Sequence, residues 1–530
     1  TAGGQASGGA IYYDTGNDLG AISASLFSEN LAVGGHASTG RGGNALGGAV
    51  FLDNDVFGDS IVDTSFVANL AEAGDSDSGA GGTAEGGAFN GPVVQVSTSI
   101  FDDNQALGGT SVGSTGSGGF AGGAALWEPD SEILNTRFRN NAAIGGSGER
   151  GGSARGGAIS SSELDRIDDV TFEGNSVVGG EGTTGNGGFA RGGAFYDDNG
   201  PKLRNVTFAG NSAVGGDSTA GASGRDARGG ALLTTSNLTL SHATFIQNHA
   251  TAGSGAGGDG MAAGAVYSEG DLEITASIFQ GNTATTPASG TVASDCFDDG
   301  GLMSLGYNVV EAPGNCVLVS TNDQTGVSSS VLPLGDHGCV TALPDGSCVE
   351  THPLDLSSVA IDAASCALSG VTLDQRTFGR PVDILTVANA DDGCDAGAYE
   401  SRDHDIDEVE DGVDNCPDDA NTDQSDADAD GAGDACDLCF GDNTTGDTDA
   451  DGVCDDEDQC AGADDGEDAD ADGVPDGCDL CTGDDSTGDS DGDGVCADRD
   501  CNDNDAGNAC LVFMDGFEAG DTAAWSSTIP

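Results

Sequence analysis

Gly192-Gly193-Ala194-Phe195, followed by Val206-Thr207-Phe208-Ala209-Gly210-Asn211, is where the fold can be read. An aromatic residue followed three positions later by Asn recurs at Phe27–Asn30, Phe66–Asn69, Phe101–Asn104, Phe138–Asn141, Phe172–Asn175, Phe208–Asn211, Phe245–Asn248 and Phe279–Asn282. Successive Asn are 39, 35, 37, 34, 36, 37 and 34 residues apart. Gly-Gly-Ala-apolar keeps the same phase at Gly8–Ile11, Gly47–Val50, Gly86–Phe89, Gly122–Ala125, Gly156–Ile159, Gly192–Phe195 and Gly229–Leu232, with Ala263-Gly264-Ala265-Val266 as a degraded eighth copy. A period in this range means a solenoid, propeller or array.

Helix is excluded because each period carries many Gly, each costing about 1 kcal/mol against Ala in a helix interior. Short β-branched and aromatic pieces such as Leu238-Thr239-Leu240 are of strand length. A propeller blade needs four longer strands in about 40 residues or more. The expectation is an all-β chain: a right-handed parallel β-helix over residues 1–290, one coil per copy, eight coils rising roughly 38 Å at the inter-strand spacing. One Phe per coil points inward onto its equivalents. The Asn amide donates to one neighbouring coil and accepts from the other, as in a cross-β ladder. Gly-Gly-Ala allows a turn with positive φ and close approach of the next coil. Between each Asn and the next Gly-Gly-Ala runs a Gly/Ser/Thr/Ala-rich stretch such as Gly215–Gly230, either a flexible loop or an ordered arm.

Composition excludes several functions. The 530 residues carry 15 basic and 90 acidic side chains, a formal charge of −75, and Lys202 is the one lysine. Nucleic-acid binding needs clustered Lys and Arg. No apolar run approaches 18 residues, so no membrane-spanning segment is expected. The chain starts at Thr1, which reads as a mature form after signal-peptide removal. Sixteen cysteines, all between Cys296 and Cys510, fit disulfides in an oxidising compartment. The expected location is outside a bacterial cell, on its surface or in its matrix.

The Phe-x-x-Asn and Gly-Gly-Ala-apolar units resemble the chlamydial polymorphic outer-membrane protein repeat, over roughly residues 8–282. The resemblance implies an extracellular β-helical adhesin. Residues 291–400 leave the register. Ser304-Leu305-Gly306-Tyr307-Asn308-Val309, Asp374-Gln375-Arg376, Arg380-Pro381 and Cys394-Asp395-Ala396-Gly397-Ala398-Tyr399-Glu400 resemble the choice-of-anchor Q region. That resemblance implies a C-terminal extension and cap of the solenoid, without known catalysis. Its six cysteines allow 15 pairings.

Residues 401–530 hold 43 acidic and two basic side chains. Asp-x-Asp-x-Asp-Gly recurs from Asp426 (Asp428, Asp430), Asp447 (Asp449, Asp451), Asp468 (Asp470, Asp472) and Asp489 (Asp491, Asp493). Carboxylates at loop positions 1, 3 and 5 converge when Gly at 6 permits a sharp turn, and hard oxygen donors select Ca²⁺. Positions 9 and 12 add Asp434 and Asp437, Asp455 and Asp458, Asp476 and Asp479; the fourth loop has Ala497 and Asp500. A weaker loop, Asp403, Asp405 and Asp407, has Glu408 in place of Gly and continues to Asp411 and Asp414. About four to six calcium ions are expected. No flanking helices argue for EF-hands. With Asp414-Asn415-Cys416-Pro417, the loops resemble thrombospondin type 3 repeats over about 403–510. That resemblance implies calcium-wrapped loops with neighbouring cysteines linked, which here gives 416–436, 439–454, 460–478, 481–496 and 501–510. A zinc ribbon on Cys436-x-x-Cys439 and Cys478-x-x-Cys481, or a disordered acidic tail, are the alternatives. The tail over 511–530, from Leu511-Val512-Phe513-Met514 to Trp525, is read as one strand in search of a sheet.

No catalytic motif of the Gly-x-Ser-x-Gly, His-Glu-x-x-His or P-loop kind occurs. The acid pairs Asp102-Asp103, Asp168-Asp169, Asp197-Asp198 and Asp298-Asp299 read as solvated turns, and the six histidines are scattered. Arg137, Arg139, Arg155, Arg191, Arg204, Arg225 and Arg228 read as bridges to acidic neighbours. The expected role is non-enzymatic: a structural protein assembling head to tail with its own copies into a filament. A glycan-binding adhesin that takes cell-surface or matrix polysaccharide is the first alternative, and a polysaccharide lyase or hydrolase the second.

Overall fold

The computed structural model describes residues 2–506 apart from 15–19, 54–58, 114, 321, 356, 385–386, 406, 408, 410, 412–413, 503 and 505. The tail over 511–530 and the 501–510 pairing lie outside the described residues. The chain forms two compact units, residues 1–404 and 405–530. The first is a parallel β-solenoid, and its one described helix is Cys366–Ser369. No described helix is long and apolar enough to cross a membrane.

Each coil lays down four strands, the third being split in two in some coils, as at Ser60–Val62 and Ser65–Val67. In one coil these are Ala227–Arg228, Leu232–Thr234, Leu238–Ile246 and His249–Thr251, and each pairs in parallel with its equivalent in the neighbouring coil. Four stacks result, the third being the widest.

Side-chain size tapers across the section of the solenoid. The broad core between the second and third stacks holds Phe, Leu, Ile and Val. In it the Phe rings of successive coils are parallel with centroids 4.7–5.0 Å apart, from Phe27 on Phe66 to Phe245 on Phe279. Such stacking adds about 0.5–1.5 kcal/mol per pair to the burial of each ring. The first and fourth stacks enclose a thinner core filled almost wholly by Ala, for example Ala121, Ala143, Ala190 and Ala213. Beyond it the sheets give way to glycine arms, which are ordered. Their outward and return runs interleave, with Gly109 N–H on Gly82 O, Gly119 on Gly109, Gly146 on Gly119 and Gly152 on Gly146, at 2.8–3.0 Å. A Cβ on Gly180 would sit 2.0 Å from Gly146 O, so only glycine permits this backbone spacing.

Three columns of left-handed residues turn the corners. One is the first Gly of Gly-Gly-Ala, with φ from +59° to +66°, except in the fourth copy, where the register read from Gly122 shifts by one and Gly123 takes the corner at +52° because Gly122 pairs with Arg155. The second is the residue before the ladder Asn, such as Asn140 and Gly210. The third bends the widest strand and is filled by Ala24, Asp63, Thr98, Asn135, Asp169, Asn205, His242 and Ala276, at φ +41° to +58°.

The corner asparagines form a continuous buried ladder. Asn175 Nδ2 donates forward to Asn211 Oδ1 (3.0 Å) and back to Phe138 O (2.9 Å), while its Oδ1 accepts from both nitrogens of Asn141. The ladder runs from Asn30 to Asn282. At Asn282 the next acceptor is Asp295 Oδ1. There the fourth stack closes with an antiparallel hairpin, Thr283–Thr286 against Gly290–Ala293.

Residues 331–400 lie against the outer side of the widest stack. Thr207 Oγ1 donates to Gln375 Oε1 (2.6 Å), Gln375 Nε2 donates to Thr171 Oγ1 (2.7 Å), and Asn205 Nδ2 donates to Leu373 O (2.8 Å). Behind Gln375, the fully buried Arg376 pairs with Asp374 at 2.8 Å and lies 3.8 Å from the Tyr399 ring centroid. Arg380 pairs with Glu400 at 3.4 Å and contacts His242 Nδ1. Burial pushes Glu400 up to about 7, against the pull of Arg380. Disulfides 296–316, 339–348 and 366–394 join neighbouring cysteines of this segment.

Candidate metal centre in the aspartate loops

In the second unit each Asp-x-Asp-x-Asp-Gly loop carries the same wiring. The first Asp closes the turn on itself: Asp447 Oδ1 accepts from Ala450 N–H (2.7 Å) and Oδ2 from Gly452 N–H (3.0 Å). Asp426, Asp468 and Asp489 make the same pair of bonds. The glycine at position 6 has φ between +84° and +99° in all four loops, a conformation that favours Gly. The ninth-position Asp434, Asp455 and Asp476 each accept at 2.8 Å from the N–H of loop position 2. The twelfth-position Asp437, Asp458, Asp479 and Asp500 use Oδ1 to hold the N–H two residues on.

The third and fifth carboxylates reach outward as well. Asp428 Oδ2 accepts from Gly441 N–H, Asp449 from Gly462 and Asp470 from Gly483. Asp430 Oδ2 accepts from Asn443 N–H, Asp451 from Asp465 and Asp472 from Asp485, at 2.7–3.0 Å. Each of the first three of these loops is thus tied to the segment that precedes the next. The weaker loop shares this wiring. Asp407 Oδ2 accepts from Asn421 N–H (2.8 Å), and Asp414 Oδ1 from Cys416 N–H. Asp403 is buried in the first unit, Asp405 belongs to the second, and Asp411 is half-buried.

The donor set fits a hard cation. Carboxylate oxygens of Asp426, Asp428 and Asp430 lie within 4.8 Å of one another, as do those of Asp447, Asp449 and Asp451. Asp449 Oδ1 and Asp500 Oδ2 are buried with no hydrogen-bond partner. Desolvation, then the neighbouring charges of Asp451 and Asp458, raises Asp449 above its ordinary range. Mutual repulsion of that kind is what a bound cation relieves. Cys436, Cys439, Cys478 and Cys481 are all in disulfides (416–436, 439–454, 460–478 and 481–496), which leaves no thiolate set for a zinc ribbon.

Sequence reasoning missed one repeating position. Asn421, Asn443, Asp465 and Asp485 each stand 13 or 14 residues after a fifth-position Asp and give it their backbone N–H. Asp465 Oδ1 is buried with no hydrogen-bond partner. The signal was that fixed interval.

The paired acids of the solenoid, expected as solvated turns, include three that are buried, Asp102, Asp168 and Asp197, and are engaged locally. Asp102 holds Arg137 and Arg139 at 2.9 and 2.7 Å, and Asp168 holds Arg204 and Arg166. Asp197 caps a turn through the N–H groups of Asn199 and Gly200, and Asp299 accepts from Tyr267 Oη. Seven disulfides among the described residues indicate folding in an oxidising environment. Comparison with protein-family models, curated proteins and solved structures returned no match.

Proposed function

We propose that the chain is a secreted calcium-binding structural protein of the bacterial surface or extracellular matrix. The observation that carries this reading is the repeated wiring of the aspartate loops, with buried carboxylate oxygens lacking a hydrogen-bond partner at Asp449 and Asp500. Asp426, Asp428, Asp430, Asp434 and Asp437, and their equivalents in the other loops, would hold the ions. Calcium would neutralise the loops and hold them in shape, while the solenoid supplies a rigid body.

Assembly is the second part of the proposal. Among the described residues, strands Leu26–Ser28 and Leu31–Val33 pair on one side only, and Leu26 and Leu31 are 69 and 51% exposed. An edge of this kind accepts an added strand. The apolar Leu511-Val512-Phe513-Met514 of a neighbouring copy has the composition to fill it. Electron microscopy with and without calcium tests the reading. Filaments that require calcium and residues 511–514 support it; protein that stays monomeric at high concentration with millimolar calcium refutes the assembly.

A further inference from the structure

Most arginines along the solenoid are held by carboxylates, as expected in a chain of charge −75. Arg137, Arg139, Arg155, Arg166, Arg204 and Arg228 each have an acidic oxygen within 4.0 Å. Arg191 and Arg225 have none among the described residues. Both instead lie against one ring, that of Phe189, with guanidinium carbons 4.9 and 4.5 Å from its centroid.

Arg191 is also the middle of three arginines in register on consecutive coils, between Arg155 and Arg228. Like charges directly opposite one another on paired strands are destabilising. The outer two are compensated, Arg155 by Glu128 and Asp198 and Arg228 by Asp226 and Glu269. The middle one has no carboxylate within 4.0 Å among the described residues; its Nε is buried with no hydrogen-bond partner, as are those of Arg155 and Arg228.

We propose that Arg191 and Arg225 around Phe189 form a binding site for an acidic polysaccharide. Its carboxylate or sulfate groups pair with the two guanidinium groups, which match planar anions through paired N–H donors. Its sugar faces lie on the aromatic rings along this column: Phe189, with Phe120, Trp127 and Tyr196 beside Arg155 and Tyr267 beside Arg228. The coils repeat at roughly 4.8 Å, so Arg155 and Arg228 flank the site along the direction a polymer would run. The aromatic surface favours a glycan over the other acidic polymer at hand, the aspartate-rich segment of a second copy. The site belongs to the solenoid alone, so it stands or falls separately from the calcium loops.

The test is isothermal titration of the full chain, in calcium, with polygalacturonate, dextran sulfate and neutral dextran. The two anionic polymers should bind, dextran should not, and added salt should weaken binding. R191Q/R225Q should lose at least tenfold in affinity at an unchanged melting temperature. F189L, which keeps both charges, should lose threefold or more. R150Q, on an exposed arginine of a glycine arm, should change nothing. Equal affinity of R191Q/R225Q and the parent for both anionic polymers, or no binding at low salt, overturns the proposal. Self-association lost in R191Q/R225Q without any glycan binding overturns it in favour of a contact between copies.

Discussion

Asn282 Nδ2 donates to Asp295 Oδ1 at 2.8 Å, and that bond ends the asparagine ladder. Asp295 supplies the acceptor that the next Asn would have offered, and its other oxygen accepts from Ala312 N–H. Burial pushes the Asp295 carboxyl up to about 6, against the pull of Asn282.

The solenoid and the aspartate loops should respond to pH in opposite senses. Burial raises Asp169 and Asp197 to about 7 and Asp362 to about 6, like Asp295. An acid with a raised folded-state pKa contributes its stability fully below its unfolded value, near 4, and loses it as pH rises through the folded value. Burial holds the imidazoles of His242, His249 and His352 below their ordinary value, which acts in the opposite sense, but the buried acids outnumber them, so the solenoid should be more stable at pH 5 than at pH 7.5. Calcium loops need ionised carboxylates and lose their ions on acidification. Calorimetry in calcium at pH 5 and 7.5 should show the solenoid transition rising and the loop transition falling on going to pH 5.

A break in the ladder should be costly. Asn175→Ala removes two donors and an acceptor from a fully buried position, a loss of about 2–4 kcal/mol. Denaturant unfolding of the variant measures it. A cost below 0.5 kcal/mol would show the ladder to be incidental.

The glycine arms separate two effects. Gly180→Ala places a Cβ 2.0 Å from backbone, whereas Gly4→Ala meets nothing within 4 Å. Gly180→Ala should lower stability by about 3 kcal/mol and raise hydrogen exchange in the neighbouring arms, while Gly4→Ala should stay within about 0.5 kcal/mol.

Asp465, absent from the Asp-x-Asp-x-Asp pattern, should matter to its loop. Asp465→Ala should weaken one calcium site by about tenfold, or 1.4 kcal/mol, measured by titration. A full, unchanged set of sites would place Asp465 outside the coordination.

Two corners of each coil were legible in the sequence because they need particular chemistry: a glycine with positive φ, and an amide that both donates and accepts. The third corner was not. Ala24, Thr98, Asn135, Asp169 and His242 share no side-chain property, and their left-handed backbone is imposed by the stacking of the strands on either side. The arms were half legible. Their glycine content was plain, but only the interleaved runs show that each glycine faces another backbone. The placement of 331–400 was hidden for a different reason. Asp374-Gln375-Arg376 is readable as a motif, yet its partners Thr171 and Thr207 lie 204 and 168 residues from Gln375. Within the loops, positions 1 to 12 follow from local turns. The contacts of Asp451 with Asp465 and of Asp472 with Asp485 cross between loops and required coordinates.

The most direct test is a calcium count on the whole protein with hydrogen exchange before and after loading. Stripped of metal and returned to calcium, the chain should bind about four to six ions, with new protection confined to residues from 405 onward and an unchanged solenoid. Failure to bind at millimolar calcium, or protection gained across the solenoid instead of the loops, would contradict the account.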